Sequence, residues 1–125
     1  MPSTTLYAKN CLQTRDGAYI QFATRASLLS LKREQIRYIE GSRNYQLLHL
    51  TDRSAPLEVK MTMEKLEALT QPHGFIRIHK GYLVNYRYIQ RIHANQATLD
   101  DGVVLPIGRS KMGEVKSHYL ALLGG

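Results

Sequence analysis

At 125 residues with a formal net charge of +7, the chain has the length for one domain with its own core and not for two. Seventeen Lys and Arg against ten Asp and Glu direct attention to anionic partners: nucleic acid, a membrane surface or an acidic protein. A single cysteine, Cys11, excludes an internal disulfide and a CxxC redox or metal pair, and fits a reducing compartment.

Residues 1–15 are polar and without a sustained period, and read as a short leader, disordered or loosely docked, ahead of a domain at 16–125. After the Asp16-Gly17 turn signal, Ala18 to Ala23 and Arg25 to Leu31 read as two strands of a hairpin. Glu34 to Glu40 and Tyr45 to Leu50 make a second hairpin, with Arg43 and Asn44 at its tip. Leu57 to Met61 is the next strand, entered past Pro56. Thr62 can cap a short helix in which Met63, Leu66 and Leu69 recur at helical spacing. Lys65 stands where a capping box would place Glu, and Pro72 and Gly74 end the element.

Phe75-Ile-Arg-Ile-His-Lys-Gly-Tyr-Leu-Val-Asn85 sets two short apolar strands around a polar turn that carries Lys80. No Asp or Glu occurs from Ala68 to Leu99, whereas Arg77, Lys80, Arg87 and Arg91 do, so the local field is positive. A tight turn and a further strand fill Tyr86 to Asn95. Ala97 to Pro106 reads as a hairpin around Asp101-Gly102, and Pro106 assigns its second strand to an edge. Ser110 opens a C-terminal helix whose Met112, Val115, Tyr119 and Leu122 form one apolar stripe. Eight to ten short strands with two helices predict a mainly β fold.

Chemistry is sparse. The five histidines (His49, His73, His79, His93, His118) lack the spacing of a zinc site, and Asp100-Asp101 fall in a turn where Asp serves local geometry. Neither a nucleophile elbow nor a phosphate-binding glycine loop occurs, so no enzyme activity, metal or cofactor is expected. No apolar run approaches the roughly 20 residues that span a bilayer, and no secretory h-region precedes the domain, which predicts a cytoplasmic protein.

Three loops remain: Arg43-Asn44-Tyr45, His79-Lys80-Gly81 and Gly108-Arg109-Ser110-Lys111. Each alone is an ordinary solvated turn, but together they suit DNA. Arg and Lys can bond guanine O6 and N7, Asn can pair with adenine, and Ser, Tyr and main-chain amides can hold phosphates. Arg109 also precedes a helix whose first turn, with Ser110 and Lys111, can face an anion. For His79, holding the Lys80 turn outweighs direct contact. Two rival readings are an acidic protein partner docked on the edge strand near Pro106, and a single-stranded nucleic acid stacked on Tyr38, Tyr45, Tyr82, Tyr86 and Tyr88. Aromatic residues of β-rich chains are, however, more often core.

These residues resemble the LytTR DNA-binding output domain of bacterial response regulators. Its hallmark Phe-x-Arg-x-His-Arg-Ser-Tyr-Leu-Val-Asn is matched by Phe75 to Asn85. Ile36-Arg-Tyr-Ile-Glu40 with Asn44-Tyr45, the Leu66-x-x-Leu69 helix, Asp101-Gly102 and Leu105-Pro-Ile-Gly-Arg-Ser110 extend the resemblance from about Ala18 to Leu123. It implies an elongated arrangement of several small antiparallel β-sheets with a short central helix and a C-terminal helix. It also implies a sequence-specific, double-stranded DNA-binding transcriptional regulator of a two-component system, with loops in successive major grooves. By that resemblance Tyr45, Lys80 and Arg109 contact bases. Arg77, Gly81 and Ser110 contact phosphates, supported by Arg43, Asn44, His79 and Lys111 in the same loops.

The chain departs from the family pattern in two places. Lys80-Gly81 replaces the usual Arg-Ser, exchanging a bidentate fork for a point charge and losing a hydroxyl. Gly108 stands where Ser is common, leaving only the backbone amide. The family's receiver domain does not fit in residues 1–15, so control through an unlinked sensor or regulatory protein is implied. The family's tandem half-sites imply a homodimer on DNA.

Overall fold

The computed structural model describes residues 19–124, which contain ten strands and two α-helices. The leader at 1–15, Cys11 and the Asp16-Gly17 turn lie outside the described residues.

β1 (Tyr19–Ala23) and β2 (Leu28–Lys32) pair antiparallel, with Tyr19 opposite Lys32 and Ala23 opposite Leu28. Ile20 and Phe22 are buried while Tyr19, Gln21 and Ala23 face out, the two-residue period of a strand with one face on a core. The second strand starts at Leu28 rather than Arg25. Thr24 Oγ1 accepts the amides of Ala26 (3.3 Å) and Ser27 (3.1 Å), so the hydroxyl closes a turn that holds Arg25 out of the ladder.

A five-stranded antiparallel sheet forms the centre. Its strands are β3 (Ile36–Gly41), β4 (Gln46–Leu50), β5 (Leu57–Val59), β6 (Phe75–His79) and β7 (Tyr82–Asn85), in the order β5-β4-β3-β7-β6. The strand expected from Glu34 begins two residues later, because Arg33–Gln35 is a 3-10 turn. The Gln35 side chain accepts the Lys32 amide at 2.9 Å, and the Glu34 carbonyl is taken by the Tyr88 hydroxyl. β8 (Ile89–His93), β9 (Gln96–Leu99) and β10 (Val104–Pro106) make a three-stranded sheet with β10 on its edge, as the missing N–H of Pro106 requires.

Alternate residues of β6 and β7 feed two separate cores, one on each face of the central sheet. Phe75 and Leu83 join Ile20 and Phe22 of the first hairpin and Leu66 of α1 (Met63–Thr70). Ile76, Ile78 and Val84 join Leu99 and Leu105 of the small sheet and Val115 of α2 (Met112–Gly124). The expected stripe of α2 is present, with Met112, Tyr119 and Leu122 packed around Val115. Thr62 caps α1 as expected, its Oγ1 accepting the Lys65 amide at 3.2 Å.

Two polar devices join these layers. Arg37 on β3 pairs with Asp100 and, at 3.2 Å, with Asp101 in the β9–β10 turn, while its guanidinium lies 4.7 Å from the centre of the Tyr88 ring. Asp101 also accepts the Val103 amide at 3.2 Å, so both carboxylates serve the turn and its docking. Asn85 is fully buried, yet uses every valence. Its amide donates to the Arg33 and Ile36 carbonyls, both at 2.9 Å, and its Oδ1 accepts the Arg87 amide (3.1 Å) and guanidinium (3.2 Å).

Asn85→Leu keeps the branched shape and leaves those partners unsatisfied, so it is expected to cost about 3 kcal/mol in urea unfolding; an unshifted midpoint contradicts this role. Gly74 has φ of 91°, and an added Cβ would lie 2.7 Å from Tyr86 Cδ1. Gly74→Ala should therefore lower the thermal midpoint through both strain and clash.

Candidate nucleic-acid interface

The β3–β4 connection is closed by the Ser42 amide donating to the Tyr45 carbonyl at 2.9 Å. That leaves Arg43 and Asn44 exposed at its tip, with Tyr45 at 40% exposure beside them.

The β6–β7 turn is gripped from inside. Arg77 donates from Nε to the His79 carbonyl (3.1 Å) and from Nη2 to the Lys80 carbonyl (2.6 Å), while Nη1 is anchored on Glu67 of α1 at 2.9 Å. His79 Nδ1 accepts the Gly81 amide at 3.0 Å. With both carbonyls and one amide of the turn satisfied inwardly, the Lys80 side chain is the group left facing out. His79 thus holds the turn, the role the sequence favoured. Arg77, expected among the phosphate contacts, has a side chain only 13% exposed and all three nitrogens engaged within the fold.

The third segment is fixed at its start by the Gly108 amide, which donates to the Ile78 carbonyl of β6 at 2.8 Å. The Lys111 amide turns back onto the Gly108 carbonyl at 2.9 Å, and the Lys111 carbonyl accepts the first helical bond, from Val115. The helix accordingly begins at Met112 rather than Ser110. Ser110 and Lys111 belong to the turn that precedes it, and Arg109 and Ser110 are exposed there.

All three segments lie at one end of the central sheet. Glu40 pairs with Tyr82, and one step further the Gly41 amide donates to the Gly81 carbonyl at 2.8 Å, which ties the first loop to the second. The approach is close: a Cβ on Gly41 would sit 3.5 Å from Gly81 Cα and 3.3 Å from Met63 Cε. The Gly108–Ile78 bond ties the third to the same strand end. Arg43, Lys80, Arg109 and Lys111 make no ion pair among the described residues. The nearby acids of α1, Glu64 and Glu67, are turned toward Arg77, 3.9 and 2.9 Å from its guanidinium. Composition singles out these three loops in the sequence but not Glu67 or Gly41, whose roles depend on contacts distant in the chain.

The tyrosines divide. Tyr38 stacks on His49 with ring centres 4.2 Å apart and leans on Tyr82, and both tyrosines pack on the second core. Burial, reinforced by Glu40, pushes both hydroxyls above the ordinary phenol pKa, so they stay uncharged at neutral pH. Tyr86 and Tyr88 lie under the Arg87 and Arg37 guanidinium groups. Of the five tyrosines weighed as a stacking platform, Tyr45 alone is exposed.

The family model of the LytTr DNA-binding domain matches residues 26–119. Among solved structures, the LytTr DNA-binding domain of a response regulator from Bacillus cereus superposes with a TM-score of 0.65. It covers 81% of this chain and 95% of that one at 17% identity, a likeness that speaks to fold. A comparison with curated proteins gave no match. No helix among the described residues is long and apolar enough to cross a membrane. With the family model matched over most of its length and three antiparallel sheets arranged alike, the chain belongs to the LytTR family of DNA-binding domains.

Proposed function

We propose that the chain is a sequence-specific binder of double-stranded DNA that regulates transcription, its loops entering successive major grooves from one side. The observation that carries this reading is the common placement of the three loops, tied by Gly41–Gly81 and Gly108–Ile78 hydrogen bonds, with no ion pair to their cations among the described residues. Arg109 presents a planar fork suited to guanine O6 and N7, and Lys80 a compact charge suited to either acceptor. Tyr45 is the third base-reading residue. Arg43, Asn44, Ser110 and Lys111 contact phosphates, while Arg77 and His79, with the Gly81 amide held on His79 Nδ1, set the direction of Lys80. Two copies on tandem half-sites, answering to a separate sensor in the cytoplasm, complete the regulatory unit.

Selection from a random duplex library should enrich one motif, and its absence would remove the claim of specificity. On that motif, fluorescence anisotropy should show Lys80→Ala and Arg109→Ala each losing on the order of 1–3 kcal/mol, with relaxed preference at one position apiece. Wild-type affinity in both variants contradicts the base-reading assignment. Arg77→Met should weaken binding without changing the slope of log affinity on log salt. A direct phosphate contact would instead lower the slope by about 0.9.

A further inference from the structure

An open cleft of about 740 Å³ lies beside the Arg43-Asn44 tip, walled by the β1–β2 turn and by the segment between β5 and α1. Its charged lining residues among those described are Arg25, Arg43, Lys60 and Lys65, with no acid beside them. None of the four cations makes an ion pair among the described residues. Of the acids nearest in sequence, Glu64 and Glu67 turn to Arg77, and Glu58 lines an adjoining hollow that shares Thr24 and Lys60 with the cleft but makes no ion pair with Lys60.

The walls are fixed rather than loose. Thr24 closes the turn bearing Arg25, the Gln46 amide donates to the Met61 carbonyl at 2.9 Å, and Thr62 caps the helix bearing Lys65. Sheet register sets where the cleft opens. Val59 pairs with Gln46, so the chain leaves β5 at the same sheet end as the β3–β4, β6–β7 and Gly108 segments. From β6 across to β5, four strand spacings of about 4.8 Å make a row of roughly 19 Å. The major groove is about 12 Å wide. When the loops at the β6 and β7 end occupy a groove, the β5 end of the row overhangs the strand that borders it.

We infer that Arg25, Lys60 and Lys65, with Arg43, form a phosphate-binding cleft that grips the DNA backbone flanking the bases read by the Asn44-Tyr45 loop. This inference rests on the DNA-binding reading above and extends its footprint past the three loops. The cleft holds the duplex through charge alone. It adds affinity and salt dependence but no base discrimination.

The test is the salt dependence of binding by the full chain and by an Arg25→Ala/Lys60→Ala/Lys65→Ala variant, on the selected duplex and on one with the motif scrambled. The triple variant should lose about 2.7 from the slope, so that wild type's advantage shrinks roughly 40-fold between 50 and 200 mM salt. The ratio of selected to scrambled affinity should be unchanged. Circular dichroism melting verifies folding, and a Lys60→Arg/Lys65→Arg variant should keep the wild-type slope whether or not the triple variant folds. A wild-type slope in the folded triple variant, or loss of slope in the charge-retaining variant, overturns the cleft assignment alone. So does a cleft that binds inorganic phosphate while the DNA slope stays intact. Wild type that prefers no duplex overturns both this and the reading beneath it.

Discussion

The grip of Arg77 on the β6–β7 turn is the interaction on which the interface depends. A guanidinium this well covered is costly to desolvate, and only bonds in good geometry offset that cost. Here they are supplied by Glu67 and by the carbonyls of residues 79 and 80, hydrogen bonds to a charged group worth about 1.5–3 kcal/mol each. The cation is thus spent on the fold, and the consequence appears one residue beyond the bonds. Once its carbonyl is pulled inward, Lys80 is left to solvent. Glu67 can anchor Arg77 because its neighbour Leu66 is locked in the first core, so hydrophobic packing on one face of the sheet fixes the electrostatics of its end.

The central sheet carries this order to the other loops. With β6 and β7 buried on both faces, their turn cannot drift, and Gly41 hydrogen-bonds to a carbonyl of that turn and Gly108 to one at the end of β6. Asn85 performs the corresponding task at the far end of β7, joining it to the start of β3 and to a second 3-10 turn, Tyr86–Tyr88, that leads into β8. Arg37 then docks the small sheet through Asp100 and Asp101. Three loops from three parts of the sequence therefore present their cations as one surface rather than as independent tails. The same arrangement makes the β5 side of the sheet end, with its basic cleft, part of the face.

Much of this was legible in the sequence. Strands with alternating apolar residues, the Asp101-Gly102 turn, the Thr62 cap and the Val115 stripe all rest on local rules, and each appears close to where those rules put it. The three loops were recognisable by a cation set between apolar runs. What failed were cases where a side chain competes with the ladder. Thr24 and Gln35 captured backbone amides and shortened their strands, and Lys111 began its helix two residues late by closing a turn on Gly108. Arg77 is ambiguous in sequence for a different reason: an arginine in a strand looks the same whether it points to a phosphate or to a glutamate ten residues back. Arg25, Lys60 and Lys65 were not grouped at all, since only the packing of the first hairpin against Val59 in the shared core brings it beside the exit of β5.

The central claim, that Arg77 serves DNA recognition by aiming Lys80, is tested most directly by a double-mutant cycle on the selected duplex. If Arg77 acts through Lys80, the loss caused by Arg77→Met should shrink to nearly nothing in a Lys80→Ala background, leaving a coupling energy close to the whole single-mutant effect. Additive losses would show that Arg77 meets the DNA on its own, and would contradict the account.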